Sequence, residues 1–143
     1  MRTTFAGLST IVAMEVLLVD DQAVSVQVFA ASVRQTFHGA KVHTAVDLPE
    51  ALQIASGHRV DLVLLDLGLP TCGGVQAVER FHRAFPDVPI LVVSVTEDSE
   101  RIRECMRAGA CGYVPKSQAA TALSEAMKVV AKGGLYLPPP PVH

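Results

Sequence analysis

Five short segments of strand type alternate with five segments of helical periodicity, and this alternation limits the fold more than any other feature of the sequence. The strand segments span residues 14–19, 41–45, 61–65, 90–94 and 111–114. Most of them are continuous apolar runs, which are typical of strands buried on both faces of a parallel sheet. Strands that alternate with helices favour right-handed βαβ connections. We therefore predict an α/β fold with a (βα)5 doubly wound parallel sheet.

The length and composition fit one folded domain with short extensions. The chain has 143 residues, of which 50% are hydrophobic, so it can bury a sizeable core. Residues 14–132 contain all the predicted strands and helices, residues 1–13 form an N-terminal extension, and residues 133–143 begin a proline-rich linker. The formal net charge of -2 argues against a nucleic-acid surface spread over the whole chain.

The cysteines and the N-terminus favour a cytoplasmic protein with reduced thiols. Cys72, Cys105 and Cys111 are an odd number without the paired spacing of a disulfide framework or a zinc site. The N-terminus lacks the layout of a signal peptide. Glu15 interrupts the longest apolar run, so no segment reaches the roughly 18 residues that a membrane helix needs. We therefore expect neither secretion nor membrane insertion.

Polar side chains follow four of the predicted strands at the points where these strands end. Asp20 and Asp21 follow the first strand, Asp66 follows the third, Ser94 ends the fourth, and Lys116 comes after the fifth. In an open parallel sheet the carboxyl ends of the strands share one edge, where ligands bind. Each acidic residue alone is equally compatible with a solvated turn or a helix cap. The joint pattern, however, predicts a magnesium and phosphoryl site.

The residue types at this edge suit phosphoryl chemistry. Mg²⁺ prefers oxygen ligands and commonly uses one or two carboxylates together with phosphate oxygens and water. A carboxylate nucleophile needs positive charge nearby, because the incoming phosphoryl group is itself anionic. The Lys116 ammonium supplies such a charge, and the Ser94 hydroxyl can donate a hydrogen bond. Transfer then depends mainly on positioning and charge neutralisation.

At these residues the chain resembles the receiver domain of two-component response regulators, over residues 14–132. Pro70 and Gly74 match the loop that follows the phosphorylated aspartate in that family, and Tyr113 matches its aromatic switch position. The resemblance implies a flavodoxin-like fold with strand order 2-1-3-4-5. It also implies Mg²⁺ as cofactor, a sensor histidine kinase as partner, and a signalling domain rather than an enzyme with an external substrate.

The resemblance assigns roles to the acidic residues and to the loop beside them. Asp66 would accept the phosphoryl group. Asp21 would bind Mg²⁺ directly, with Asp20 acting directly or through water. The Asp66 side chain and the Gly68 backbone carbonyl would complete the protein ligands.

It also assigns roles to the residues at the ends of the fourth and fifth strands. Ser94 and Lys116 would hold the phosphoryl oxygens. In the family, the hydroxyl at the Ser94 position draws its loop inward after phosphorylation, and the rotamer of the residue at the Tyr113 position follows. The surface formed by the fourth helix, the fifth strand and the fifth helix then changes.

Three segments, residues 65–70, 108–117 and 133–138, are similar to those of NarL/LuxR-type regulators. In that type the last segment leads into a linker and a helix-turn-helix domain, but this sequence contains no recognition-helix pattern. We therefore expect a receiver fragment, or a stand-alone receiver, that does not bind DNA directly. Its readout would be protein contact, which includes contact with a second copy of the chain in a homodimer.

Two departures from the family pattern concern the predicted site. Ser117 follows Lys116 where many receivers have proline. Because receivers often use a cis bond here to aim the lysine, we expect a cis peptide bond between Lys116 and Ser117. Gly68 and Thr96 occupy the two positions that influence the lifetime of the phosphoryl group in the family.

Other functions are compatible with parts of the pattern. A degenerate receiver that acts as a constitutive interaction domain would not need intact site residues. A magnesium-dependent phosphohydrolase similar to haloacid dehalogenases would need an Asp-x-Asp motif after the first strand, and Asp20-Asp21-Gln22 lacks that spacing. A flavodoxin-like cofactor binder would need a phosphate-binding loop rich in Ser, Thr or Gly after the first strand, which is also missing.

Overall fold

The computed structural model describes residues 3–5, 8–10 and 13–139. Two short strands near the N-terminus, β1 (Thr3–Phe5) and β2 (Leu8–Thr10), pair with each other antiparallel. They form a two-stranded sheet of their own, separate from the five-stranded sheet that follows. This is consistent with the expectation that residues 1–13 precede the main sheet.

Five parallel strands form the main sheet, as the sequence predicts. They are β3 (Glu15–Val19), β4 (Lys41–Ala45), β5 (Leu62–Asp66), β6 (Ile90–Ser94) and β7 (Gly112–Pro115). The strands lie in the order β4-β3-β5-β6-β7. Counted within this sheet, the order is 2-1-3-4-5, so the predicted flavodoxin-like topology is confirmed.

Five helices cover the two faces of the sheet. They are α1 (Ala23–Thr36), α2 (Leu48–Gly57), α3 (Gly74–Ala84), α4 (Ser99–Ala108) and α5 (Ala119–Ala131). Buried residues of α1 and α5 pack on one face, and those of α2, α3 and α4 pack on the other. In the described part of the chain, no helix has both the length and the apolar character that a membrane span requires.

The central strands are buried on both faces, which explains why their sequences are continuously apolar. Along β3, Leu17 and Val19 belong to the core on the α2–α4 side, whereas Val16 and Leu18 belong to the core on the α1 and α5 side. All four side chains are at most 1% exposed. Burying one such side chain stabilises the fold by roughly 1.5–3 kcal/mol. These strands therefore hold the ends of the sheet, and the residues attached to them, in fixed positions.

Side-chain caps fix the starts of two helices. The Asp47 carboxylate accepts a hydrogen bond from the Glu50 N–H at 2.9 Å, and the Glu50 carboxylate accepts one from the Val46 N–H at 2.8 Å. The predicted cap of α2 is thus confirmed. At α4, Asp98 accepts a hydrogen bond from the Glu100 N–H at 3.3 Å, so the predicted start of this helix is confirmed as well.

The segment after α5 pairs with the edge strand β7. The Tyr113 N–H donates to the Tyr136 carbonyl at 3.1 Å, and the Tyr136 N–H donates to the Cys111 carbonyl at 2.9 Å. Gly112 permits this approach, because a Cβ there would lie 3.2 Å from the Tyr136 carbonyl oxygen. β7 ends at Pro115, as expected from the missing N–H of proline. Part of the predicted linker therefore lies along the sheet.

The expected cis bond between Lys116 and Ser117 is wrong. No peptide bond in the described residues is cis. Lys116–Gln118 instead forms one turn of 3-10 helix, in which the Ala119 N–H donates to the Lys116 carbonyl. A trans bond avoids the roughly 2.5–4 kcal/mol that a non-proline cis bond costs. The Lys116 ammonium nevertheless lies within 3.5 Å of two site carboxylates, so the lysine does not need a cis bond to reach them.

Candidate functional site

The carboxyl edge of the sheet brings the predicted polar residues together. Asp20 and Asp21 directly follow β3, Asp66 is the last residue of β5, Ser94 is the last residue of β6, and Lys116 directly follows β7. Because these strands are parallel and in register, their ends meet at one edge. Polar residues that are far apart in the sequence therefore form one local cluster in the structure.

Three carboxylates form the acidic part of this cluster. Among the described residues, Asp20, Asp21 and Asp66 each offer an oxygen, and these oxygens all lie within 4.8 Å of one another. Asp20 and Asp66 are buried, at 4% and 8% exposure, whereas Asp21 is exposed. The Asp20 Oδ1 accepts a hydrogen bond from the Gln22 N–H at 2.9 Å, and the Asp66 Oδ1 accepts one from the Gly68 N–H at 3.2 Å. Backbone groups thus fix both buried carboxylates.

The Lys116 ammonium provides a positive charge beside the carboxylates of this cluster. Its Nζ lies 3.3 Å from the Asp20 Oδ2 and 3.5 Å from the Asp66 Oδ2. The ammonium also lies 5.9 Å from the centre of the Phe29 ring, which limits its freedom on the α1 side. One ammonium does not neutralise three carboxylates. The cluster therefore keeps an excess of negative charge.

The pKa of Asp66 reflects this environment. Burial raises the pKa of the Asp66 carboxyl above its usual value, and the nearby Asp20 carboxylate raises it further. The Gly68 N–H and the Lys116 ammonium act in the opposite direction, but they do not cancel the effect of burial. A cation placed among the carboxylates would offset the same electrostatic cost, because it would stabilise the charged form.

The donor set of this cluster fits a hard divalent cation. Mg²⁺ is bound in proteins by one or two carboxylates, while waters and substrate oxygens complete its coordination. The exposed Asp21 leaves one side of the cluster open to such ligands. Gly68 lies beside the Asp66 carboxylate, since a Cβ at this glycine would be 3.7 Å from the Asp66 Oδ2. That the Gly68 carbonyl is a metal ligand stays a prediction.

Ser94 and Tyr113 are linked through the backbone of Thr96. The buried Ser94 hydroxyl accepts a hydrogen bond from the Thr96 N–H at 3.3 Å. The Tyr113 hydroxyl donates to the Thr96 carbonyl at 2.8 Å, and its ring is fully buried. Burial raises the pKa of Tyr113, so the phenol remains a hydrogen-bond donor. The sequence did not reveal this use of Thr96, because nearly all residue types carry the same backbone N–H and carbonyl groups.

Comparison with known families identifies the family to which the chain belongs. The family model described as "Response regulator receiver domain" matches residues 16–128. The chain therefore belongs to the receiver domain family of two-component response regulators. Its relatives and structural neighbours place it with the NarL/LuxR type, as the three sequence segments indicated.

Curated relatives are transcriptional and oxygen regulatory proteins. Transcriptional regulatory protein DegU of Brevibacillus brevis is 36% identical over 97 residues, which cover 68% of this chain and 41% of the relative. Oxygen regulatory protein NreC of Staphylococcus carnosus (strain TM300) is 31% identical over 127 residues, which cover 88% of this chain and 58% of the relative. The chain spans 41% to 59% of the length of the curated relatives that it matches.

Solved structures agree with this assignment. A two-component response regulator of the LuxR family from Aurantimonas sp. SI85-9A1 superposes with a TM-score of 0.83 at 26% identity, covering 90% of this chain and 91% of the other. A LuxR family DNA-binding response regulator from Silicibacter pomeroyi gives a TM-score of 0.77 at 28% identity, covering 87% of this chain and 97% of the other.

Proposed function

We propose that Asp66 accepts a phosphoryl group from a sensor histidine kinase, with Mg²⁺ bound by Asp20, Asp21 and Asp66. The main support is the cluster of three carboxylate oxygens within 4.8 Å of one another, with the Lys116 ammonium beside it. In the degenerate-receiver alternative these residues would have no need to converge. The chain would then act as a signalling domain in the cytoplasm, with no turnover of an external substrate.

The proposed transfer needs little from the protein except position and charge. An Asp66 carboxylate oxygen attacks the phosphorus of the kinase's phosphohistidine. A P–O bond forms, the P–N bond breaks, and its electron pair returns to the imidazole. The product is an acyl phosphate on Asp66. Mg²⁺, when bound, supplies positive charge to the carboxylates and to the phosphoryl oxygens.

Lys116 and Ser94 would receive the transferred group. The Lys116 ammonium contacts an Asp66 oxygen at 3.5 Å and is placed to neutralise charge on the phosphoryl oxygens. The Ser94 hydroxyl already accepts a hydrogen bond from the Thr96 N–H, which leaves its own O–H free to donate to the phosphoryl group. A hydrogen bond from Ser94 would favour the inward position of its loop and the buried rotamer of Tyr113.

We further propose that the phosphorylated receiver controls a DNA-binding output domain. Relatives named as transcriptional regulators are longer than this chain, and a receiver without an output has no means of reading DNA. The surface of α4, β7 and α5 would carry the signal to the output domain or to a second copy of the receiver. Residues 133–139 follow α5 and would begin the connection.

Acetyl phosphate labelling tests the phospho-acceptor. Incubation with acetyl phosphate and Mg²⁺ should add the mass of one phosphoryl group to the intact protein. The Asp66→Asn variant should show no gain, while the Asp61→Asn variant, changed directly before the opposite end of the same strand, should label like wild type. Equal labelling of wild type and Asp66→Asn would contradict the assignment.

A mobility-shift assay tests the separation of receiver and DNA-binding functions. The net charge is -2, and the described helices all cover the sheet, so we expect no sequence-specific DNA binding by residues 1–143. The assay should be run at about 0.15 M salt with and without acetyl phosphate, because nonspecific binding weakens as salt rises. A specific, salt-resistant shift would reveal an output surface in this chain.

A further inference from the structure

The loop of residues 95–98, which connects β6 to α4, is tied to the other side of the site by two hydrogen bonds. One is the bond from the Tyr113 hydroxyl to the Thr96 carbonyl. The second joins side chains: the Ser117 hydroxyl donates to the Glu97 Oε2 at 2.7 Å. Ser117 lies directly after the site lysine, and Glu97 lies three residues after Ser94. The second bond therefore joins the turn that contains Lys116 to the loop that follows Ser94.

We propose that Ser117 and Glu97 form a positioning pair that holds the 95–98 loop closed beside Asp66 and thereby sets how readily Ser94 meets a phosphoryl group. This inference adds a means of regulation to the proposed phosphoryl site and depends on that proposal only for its effect on phosphoryl binding.

The Ser117–Glu97 bond is the shortest of the hydrogen bonds that organise the loop. Its length of 2.7 Å matches a charge-assisted bond between a hydroxyl and a carboxylate. Within the loop, the Thr96 N–H lies 3.3 Å from the Ser94 Oγ, and the Asp98 N–H lies 3.2 Å from the Thr96 Oγ1. The side-chain pair is thus the closest polar contact between the loop and a separate element.

Apolar packing contributes little to the position of this loop. Val95, its first residue, is 79% exposed, and Glu97 is exposed as well. The adjoining helix α4, which the structure describes throughout, buries only Cys105. Segments with few buried apolar contacts open at low free-energy cost. The hydrogen bonds of the loop therefore decide how often it is closed.

The turn after β7 explains why Ser117 can reach the loop. The 3-10 turn Lys116–Gln118 begins at the end of the strand that carries the buried Tyr113 ring. Consecutive residues of this turn serve the two sides of the site: Lys116 contacts the carboxylates, and Ser117 contacts Glu97. The turn therefore connects the loop that follows Ser94 to the lysine that contacts Asp66.

Hydrogen exchange of the loop amides tests the pair without any phosphoryl donor. Ser117→Ala should increase exchange at residues 95–98 about two- to fivefold, the size expected for one exposed hydrogen bond. Ser117→Thr keeps a hydroxyl and should restore wild-type exchange. Ser56→Ala is the matched control, because Ser56 is also exposed and its hydroxyl donates to the Gln53 carbonyl of its own helix.

A double-mutant cycle separates a direct bond from general loosening. Ser117→Ala and Glu97→Ala should each speed loop exchange, and the double variant should be no faster than either single one. Additive increases, or an unchanged rate in Ser117→Ala, would overturn the pair. Magnesium affinity should stay unchanged in all these variants, since neither residue belongs to the carboxylate cluster.

Beryllofluoride, a phosphoryl mimic, tests the consequence at the site. The chain has two tyrosines and no tryptophan, so in a Tyr136→Phe background the tyrosine fluorescence reports Tyr113 alone. With Mg²⁺ present, Ser117→Ala should weaken beryllofluoride binding, because only molecules with the 95–98 loop closed bind it well. The loss of affinity should be at most the factor by which the same substitution speeds hydrogen exchange in the loop. Unchanged affinity would refute the link to the site. If the wild type does not bind beryllofluoride, that result would count against the proposed function. The hydrogen-exchange rates of residues 95–98 would still test the Ser117–Glu97 pair independently.

Discussion

The two ends of the parallel sheet carry charged clusters that differ in how well their charges are matched. The carboxyl-end cluster consists of Asp20, Asp21, Asp66 and Lys116. The amino-end cluster consists of Glu15, His43, Arg59 and Asp61. The same five-stranded scaffold positions both, so the difference between them lies in the partners that each charged group finds.

In the amino-end cluster every carboxylate has partners within the protein. The Glu15 Oε1 lies 3.0 Å from the His43 Nε2, and its Oε2 lies 3.8 Å from the Arg59 Nε. The Asp61 Oδ2 accepts hydrogen bonds from the Glu15 N–H at 2.8 Å and from the Arg59 Nη2 at 2.9 Å. This cluster fastens the starts of β3 and β5, and the carboxylates in it are already engaged by neighbouring side chains and backbone N–H groups.

The carboxyl-end cluster has three carboxylates for one ammonium. Its buried nucleophile candidate, Asp66, has a raised pKa because burial outweighs the hydrogen bond from Gly68 and the attraction of Lys116. A charged group held in an unfavourable environment destabilises the fold, and such groups concentrate at functional sites. The comparison teaches that incomplete pairing, more than the presence of charges, marks the site where a ligand would bind.

The largest expected difference between the clusters is in magnesium binding. Asp21→Ala should weaken Mg²⁺ affinity by about tenfold or more, since it removes the exposed carboxylate of the cluster. Glu15→Ala, at the other end of β3 and roughly 15 Å away by strand length, should leave the affinity unchanged. A calorimetric titration measures the Mg²⁺ affinity of both variants. An equal loss of affinity in the two would show that Mg²⁺ does not bind selectively at the carboxyl-end cluster.

Loss of a carboxylate charge should change the stability of the metal-free protein in opposite directions in the two clusters. Asp66→Asn should stabilise the metal-free protein by about 1 kcal/mol, because it removes a buried, poorly compensated charge. Asp61→Asn should destabilise it by a similar amount, since it weakens bonds to Glu15 and Arg59. For a chain of this size 1 kcal/mol corresponds to a shift of about 3 °C in Tm. Thermal unfolding in EDTA would contradict the comparison if both variants shifted Tm the same way.

The stability gain from Asp66→Asn should depend on pH. The folded-state pKa of Asp66 lies above its usual value of 3.8, so below that value the carboxyl is protonated in both the folded and the unfolded chain. As pH rises, the unfolded chain ionises first, and the wild type loses stability relative to the variant until the folded carboxyl ionises too. Urea unfolding between about pH 4 and 7 should show the difference growing and then levelling off. A difference that shrinks with rising pH would contradict the direction of the shift.

The sequence predicted the fold and the carboxylate cluster because both depend on strong, local patterns. Apolar strands end in polar residues, and parallel pairing alone brings Asp66 and Lys116 to one edge. The contacts of the 95–98 loop were not predicted, since they depend on the Thr96 carbonyl and on the orientation of a 3-10 turn. The sequence draws attention to Ser117 only through its peptide bond with Lys116, whereas in the structure the Ser117 hydroxyl makes a specific contact with Glu97.

The smallest expected effect concerns how easily water reaches the carboxyl-end cluster through the space beside Gly68. Gly68 leaves space beside Asp66, where an added Cβ would lie 3.7 Å from the Oδ2 and meet no close contact. Its φ is not in the left-handed region, so a side chain is tolerated there. Gly68→Met should therefore cover the proposed acyl phosphate on Asp66 and lengthen its half-life about two- to threefold, a change of less than 1 kcal/mol in the barrier. Gly57→Ala is the matched control at a glycine with open space around it, and it should leave the half-life unchanged. A half-life that is unchanged or shorter in Gly68→Met would show that water reaches the phosphoryl group from another side of the cluster.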